Sequence, residues 1–199
     1  MEVLELNNSK GKLKLLFIAL FFSFTAFMLS IGTAKAAPSV YKEGDILVTN
    51  DTQWGLGIFG HAGIVGRSAD GNLYAVHIPG PNQPIQKITL AKWNSKYNKT
   101  EVWRHNNQTA AVQAGQKSMD FVRYYGSDTS YVAPYSLWSI AAYTYADKSE
   151  TYCSKLVWQS YYYGSGLNLG WDPKGKGVIS PYQLRGLQNM YKVAGSDSI

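Results

Sequence analysis

Short apolar runs separated by turn residues occupy the chain between residues 44 and 105 and predict a series of β-strands. The predicted strands are Ile46–Val48, His61–Arg67, Leu73–Ile78, Ile85–Leu90 and Glu101–Arg104. Ser68–Asn72 has the composition of a hairpin connection between the second and third strands. Leu90–Tyr97 adds one or two helical turns before the fifth strand.

Apolar residues in the second half recur every three to four positions, which predicts helices over Thr109–Tyr125, Tyr135–Ala146 and Thr151–Tyr163. In the last of these, Thr151 is the predicted N-cap and Gly164 is the predicted C-terminal cap. Strands and helices in separate blocks indicate an α+β fold, with a small antiparallel sheet packed on helices.

The first 36 residues have the features of an export signal. Lysines between residues 10 and 14 precede an almost wholly apolar stretch, Leu15–Ala34, and Ala34-Lys35-Ala36 has the small-x-small form of a cleavage site. The alternative is a membrane anchor that is never cleaved, because about 20 apolar residues can span a bilayer. We predict a signal peptide at 1–36, no stable membrane insertion after its cleavage, and a secreted or cell-wall-associated domain at 37–199.

The chain has 199 residues, of which 45% are apolar, which is enough for one folded domain. Residues 37–199 hold 15 basic and 11 acidic residues, a modest positive charge that favours an anionic partner such as a cell-wall polymer. Because the basic residues are scattered rather than gathered in a stripe, the sequence indicates no nucleic-acid partner. It specifies no oligomeric state.

Cys153 is the single cysteine, so a secreted form would have no internal disulfide. Taken alone, it has two interpretations: a small buried apolar residue or a reactive thiol. Its predicted place in the first turn of a helix favours the second. Unpaired backbone N–H groups and the helix dipole stabilise a thiolate there, and the same N–H groups stabilise an oxyanion. We therefore predict that Cys153 is a nucleophile.

A thiol nucleophile needs a general base, and the chain offers His61, His77 and His105. His61 opens a predicted strand after Gly60, where small neighbours leave its ring accessible. An odd-numbered connection such as Ser68–Asn72 places His61 and His77 on one face of the hairpin, whereas a two-residue turn places them on opposite faces. His105 stands in a polar stretch and is predicted to be a solvated loop residue.

The sequence indicates neither a metal nor an organic cofactor. One cysteine and three scattered histidines give neither a CxxC nor an HExxH spacing. There is also no glycine-rich phosphate loop and no G-x-S-x-G nucleophile elbow. We therefore predict that the chemistry rests on the side chains of the protein alone.

Five short segments occur in an order that is typical of one family: Gly44-Asp-Ile-Leu, Gly60-His-Ala-Gly-Ile-Val, Leu73-Tyr-Ala-Val-His, Tyr152-Cys-Ser-Lys-Leu-Val-Trp-Gln and Ile179-Ser-Pro-Tyr-Gln-Leu. The set resembles the circularly permuted, YiiX-like branch of the NlpC-type papain-fold hydrolases, in which the histidine strand precedes the cysteine helix. The resemblance implies a permuted papain-like fold with Cys153 as nucleophile and His61 as base. It also implies His77 as the third polar group, a place that a carboxylate takes in many permuted members.

The resemblance implies a cysteine peptidase or amidase, and it leaves three functions open. The preferred one is cleavage of amide bonds in peptidoglycan stem peptides, as non-permuted relatives do. The second is a lipid amidase or acyltransferase that acts on an N-acyl substrate. Such a function needs an apolar groove, for which Tyr135, Leu137, Trp138, Ile140 and Tyr143 are the candidates, although residues at this helical spacing more often belong to a core. The third is a cell-wall binding module without catalysis, which the presence of both cysteine and histidine disfavours.

Overall fold

The computed structural model describes residues 40–51, 60–80, 83–97, 99–125, 130–131 and 144–195. Its strands are β1 (Ile46–Thr49), β2 (His61–Arg67), β3 (Leu73–His77), β4 (Gln86–Thr89), β5 (Thr100–His105), β6 (Ser130–Tyr131), β7 (Glu150–Thr151) and β8 (Met190–Ala194). Its helices are α1 (Leu90–Lys96), α2 (Gln108–Tyr125) and α3 (Cys153–Ser165), and a 3₁₀ turn covers Pro181–Leu184. The export segment predicted at 1–36 lies outside the described residues.

The five strands, the short helix and the helices that hold residues 109–125 and 153–163 are present, with ends shifted by one or two residues. The helix predicted at Tyr135–Ala146 falls mainly on residues 135–143, which lie outside the described part. Its last three residues form an isolated bridge and a turn, so the helix prediction is wrong there.

Six strands form one antiparallel sheet in the order β4-β3-β2-β1-β5-β8. The central strand β1 is fully buried on both faces, which explains its unbroken apolar run Ile46-Leu47-Val48. β6 and β7 form a separate parallel pair of two residues each. The sheet therefore has two covered faces, and its central strands carry the site described below.

One face of the sheet packs against α2 and α3. Alternate residues of the central strands, such as Ile46, Val48 and Ile64, join the apolar residues of α3 in the larger core. The two helices approach each other closely at Gly164, where an added Cβ would lie 2.5 Å from the carbonyl oxygen of Gln113. A side chain is excluded at this contact because backbone atoms occupy the space.

The opposite face of the sheet packs against α1. Its core contains Leu47, Val65 and Val102 of the sheet together with Trp93 and Tyr97 at the helix. Thr89 caps α1, because its hydroxyl accepts the backbone N–H of Lys92. The short helix thus lays two large aromatic rings on the sheet.

A buried ion pair holds the end of the sheet at which β1 begins. Arg104 donates from Nε to one carboxylate oxygen of Asp45 and from an Nη to the other, each at 2.7 Å, and it also donates to the carbonyl of Val40.

Among the residues that the structure describes, none of the helices has the length and apolar character needed to cross a membrane.

The ends of α3 differ from the prediction in both caps. Tyr152, in extended conformation, is the N-cap residue, and no side chain caps the helix. Thr151 belongs to β7 instead, and its hydroxyl donates to Oε1 of Gln159. The helix ends at Gly166 in the left-handed conformation, while Gly164 lies inside the helix against α2. Cys153 is nonetheless the first residue of the helix, as predicted.

Candidate active site

His61 and His77 lie on the same face of the β2–β3 hairpin. The strands pair Arg67 with Leu73, which leaves the five residues Ser68–Asn72 as the connection. Extended along the strands, this register places His77 across from Gly63. His61 Nε2 and His77 Nδ1 are 3.0 Å apart and share one hydrogen bond. The predicted odd-numbered connection is therefore present, and it brings the two imidazoles together.

Two aromatic rings from α1 and its C-cap enclose the histidine pair. Trp93 stacks on His61 with ring centres 5.6 Å apart, and Tyr97 lies 5.1 Å from the same ring. Both aromatic rings meet His77 edge to face. The sequence reasoning missed these residues, although their spacing of four along a short helix is the signal that places both on one side.

The enclosure keeps both imidazoles neutral. Burial, followed by the positive charge of Lys96, lowers the pKa of His61 to about 3. The pKa of His77 falls to about 2, mainly because of burial and then because of the charges of His61, Lys96 and Lys92. Nε2 of His77 is buried and has no hydrogen-bond partner among the described residues. The pair therefore carries no net charge at neutral pH.

Cys153 lies beside the strand that carries His61. The backbone N–H of Ala62, the residue after His61, points at the cysteine sulfur, as do the N–H groups of Cys153 itself and Ser154. Burial nevertheless raises the pKa of the thiol, because desolvation outweighs these hydrogen bonds. The expectation that the helix start favours a resting thiolate is therefore wrong for this conformation. No hydrogen bond joins the sulfur to either imidazole among the described residues.

The start of α3 is fixed by the segment that follows it in the chain. The Tyr152 hydroxyl donates to the carbonyl of Gly177 and accepts the N–H of Ile179 at 2.8 Å. The hydroxyl of Ser154 donates to the carbonyl of the same Ile179. These bonds bracket Cys153 on both sides, so the position of this candidate nucleophile is set by tertiary contacts rather than by a cap.

Gly60 directly precedes His61 and lies where the start of β2 contacts two neighbouring segments. It has φ of +63°, and an added Cβ would lie 2.9 Å from both the ring of Tyr182 and the carbonyl oxygen of Thr49. The 3₁₀ turn that carries Tyr182 begins with a capping box between Ser180 and Gln183. The motif at residues 179–184 thus packs directly against the start of the histidine strand.

His105 does not join the site. It is the last residue of β5, is buried rather than solvated, and accepts the N–H of Asn107 at Nδ1. The prediction of a solvated loop residue is wrong, because β5 extends one residue further and covers the ring. In the described part of the chain, no three His, Cys, Asp or Glu side chains gather in a way that could hold a metal ion.

Comparison with solved structures shows the class of fold. The chain resembles the crystal structure of the metalloprotein yiiX from Escherichia coli O157:H7, with a TM-score of 0.60 over 79% of this chain and 99% of that one. The two sequences are 15% identical, so the likeness concerns the fold alone. It confirms a YiiX-like α+β fold, while the circular permutation stays a prediction.

Comparison of sequences shows the family. Residues 11–194 match the family of LnsA-like lipoprotein N-acylation proteins, and the chain belongs to that family. It is also 36% identical over 148 residues to an uncharacterized 30.3 kDa protein of Bacillus thuringiensis. The match covers 72% of this chain and 52% of that protein, so the chain spans about half the length of this relative.

Proposed function

We propose that the protein is a cysteine acyltransferase that takes an acyl group onto Cys153 and passes it to an amine. The carrying observation is the burial of the nucleophile beside a neutral histidine pair: Cys153, His61 and His77 are exposed by 7%, 6% and 0%. Exclusion of water protects a thioester from hydrolysis and lets an amine compete for it. Membership of a lipoprotein N-acylation family supports an acyl group as the substrate.

The first half-reaction forms the thioester. In the proposed tautomer, Nε2 of His61 carries the proton and donates a hydrogen bond to Nδ1 of His77, which leaves Nδ1 of His61 to take the thiol proton. The sulfur attacks the ester carbonyl of the acyl donor, and the C–S bond forms. The C–O bond then breaks, and His61 returns the proton to the leaving alcohol. Because thiol and base are both neutral at rest, proton transfer accompanies the attack.

The second half-reaction consumes the thioester. A neutral amine attacks the thioester carbonyl and forms the C–N bond, and His61 takes the amine proton. The C–S bond breaks, and the proton returns to the sulfur of Cys153. In both steps the uncapped backbone N–H groups at the start of α3 stabilise the carbonyl oxygen as it becomes negative.

Transfer to an amine is preferred over cleavage of peptidoglycan stem peptides because the relatives support acyl chemistry and not a cell-wall substrate. The groove residues expected for an acyl chain, Tyr135 to Tyr143, lie outside the described part of the chain. Export through residues 1–36 would bring the site to the cell surface, where exported lipoproteins are found. The secreted location and the peptide substrate both remain predictions.

Intact-protein mass spectrometry tests the proposal. The purified protein, incubated with a lipid ester, is expected to gain the mass of one acyl group, which hydroxylamine removes. A diacylated lipopeptide with a free N-terminus should then discharge the adduct and gain an amide-linked acyl chain. Cys153→Ala and His61→Ala should each abolish the adduct without unfolding the protein. An adduct on Cys153→Ala, or release of free fatty acid as the sole product, would overturn the assignment.

A further inference from the structure

α1 brings two lysines to the side of the histidine pair. Lys92 and Lys96 are four residues apart, and each precedes one of the two aromatic residues, Trp93 and Tyr97, that pack on His61. The ammonium nitrogen of Lys96 lies 5.3 Å from the centre of the Tyr97 ring, on the residue that itself contacts the base. The helix therefore presents a positive edge next to the reacting groups.

These charges have no acidic partner in the described part of the chain. Ion pairs with carboxylates involve Arg67, Arg104, Lys117, Arg185 and Lys192, but neither Lys92 nor Lys96. Both charges instead contribute to the lowered pKa of His77. Burial, followed by the charge of Lys92, lowers the pKa of Lys96. Two like charges one turn apart weaken a helix, so their placement needs another explanation.

The helix dipole explains only one of the two lysines. Lys96 stands in the last turn of α1, where a cation is favoured. Lys92 stands in the first turn, where the dipole favours an acidic residue and none is present. A ligand that carries negative charge would satisfy both lysines at once, since an ammonium is a compact point charge that suits phosphate oxygens.

We infer that Lys92 and Lys96 form a subsite for the phosphate of an anionic glycerophospholipid that serves as acyl donor. The inference rests on the acyl transfer proposed above and adds the class of donor. A phosphate bound at α1 would lie beside Trp93 and Tyr97, whose rings contact His61, so the donor would be held on the side of the base. The bound negative charge also offsets the two lysines, which makes the His61 imidazolium formed during attack less costly.

Donor selectivity of the full-length protein tests the subsite. Thioester formation is measured with dioleoyl phosphatidylglycerol and with dioleoylglycerol, a neutral donor that lacks the phosphate. Lys96→Gln is expected to lower the ratio of the two kcat/KM values about fivefold, and the Lys92→Gln/Lys96→Gln pair about 20-fold, as expected for partly exposed charge contacts. Lys96→Arg should retain most of the ratio, because it keeps the charge.

Lys174→Gln is the matched control, since this exposed lysine lies on a loop that the mechanism does not use. It should leave the ratio at the wild-type value. If the α1 variants leave the ratio of the two kcat/KM values unchanged, the subsite is overturned, even when the thioester on Cys153 forms normally. Equal loss of the ratio in Lys174→Gln would overturn it as well, because general surface charge would then account for the preference.

A binding measurement separates the subsite from the proposed chemistry. In the Cys153→Ala background, which has no nucleophile, soluble dihexanoyl phosphatidylglycerol is titrated by calorimetry against dihexanoylglycerol. Lys96→Gln in this background is expected to weaken the binding of the phospholipid about fivefold and to reduce its advantage over the neutral lipid by the same factor. If wild-type protein forms no thioester but this dependence holds, the acyl transfer fails and the phosphate site stands. If the dependence is absent, the subsite fails.

Discussion

Each of the three residues assigned to catalysis is more than nine-tenths buried, and this burial determines their protonation states. His61 and His77 have pKa values of about 3 and about 2, and the pKa of Cys153 is raised. The resting site is thus a neutral thiol beside a neutral base rather than a thiolate–imidazolium pair. In the proposed reaction, the same burial keeps water away from the thioester on Cys153.

Residue types and spacing led to the prediction of Cys153, His61 and His77 as the catalytic set, whose roles remain predictions. The hairpin register places the two histidines together, as one of the two alternatives required. Their pKa values were beyond the sequence. Trp93 and Tyr97, which belong to another element, pack on the pair, and nothing in the local pattern shows that their rings cover it. For the same reason the dipole argument for a thiolate failed, since it ignored burial of the sulfur.

The pH dependence of thioester formation follows from these values. His61 is neutral above its lowered pKa of about 3, and the thiol stays protonated up to its raised pKa. We therefore expect kcat/KM for a neutral ester to be constant between about pH 5 and pH 8, without the acid limb near 6.5 of a solvated imidazole. Stopped-flow measurement with a p-nitrophenyl ester checks this.

Stability must be followed in parallel, because both histidines oppose folding in acid. Their folded pKa values lie below the unfolded value, so the stability they contribute is present above about pH 6.5 and is lost as the pH falls toward 3. Circular dichroism at each pH identifies the range in which the protein remains folded. An acid limb near 6.5 in fully folded protein would show that His61 titrates as an exposed group.

At the scale of elements, hydrophobic patterning predicted β1 to β5 through short apolar runs bounded by turn residues, and α2 and α3 through apolar positions that recur every three to four residues. It missed β8, whose half-exposed residues show no two-residue alternation of burial. It also assigned the caps of α3 to Thr151 and Gly164, since both residue types favour caps. Tertiary contacts decided otherwise: Thr151 bonds Gln159, and Gly164 packs on α2.

Substitution of Gly164 measures how tightly α3 is held against α2. In Gly164→Ala the new Cβ would lie 2.5 Å from the carbonyl oxygen of Gln113 and 3.0 Å from Cα of Ala114. Because both neighbours are backbone atoms, we expect the helices to separate and the free energy of unfolding to fall by about 1–3 kcal/mol. Urea denaturation gives the value.

Ser165→Ala is the control on the same helix, because it removes only a hydroxyl that donates to the carbonyl of Tyr161. It should change stability by about 1 kcal/mol or less. If Gly164→Ala were as stable as this control, or more stable because alanine favours helix, the close contact between α2 and α3 would be contradicted.

At the scale of the whole molecule, a buried ion pair and the histidine pair lie at opposite ends of the sheet. Asp45, the residue before β1, is paired with Arg104, and Thr49, the last residue of β1, lies across from His61. The buried pair fixes β5 and residue 40 to the start of β1, four strand residues away from the histidine. The ion pair and the histidine pair therefore lie at opposite ends of β1, and we expect fold stability and the proposed catalysis to rest on different groups.

This separation predicts that Asp45→Asn damages the fold and spares the chemistry. Removing the carboxylate charge leaves the guanidinium of Arg104 buried without its counter-ion, which is expected to cost about 3–5 kcal/mol of unfolding free energy. Asp120→Asn is the matched control, because its pair with Lys117 is exposed and should contribute less than about 1 kcal/mol. At a temperature where both variants are folded, thioester formation should stay within about twofold of wild type, since neither residue touches the site. A large loss of rate in folded Asp45→Asn would show that the ion pair positions His61 through β1, and the two ends of the sheet would then act as one unit.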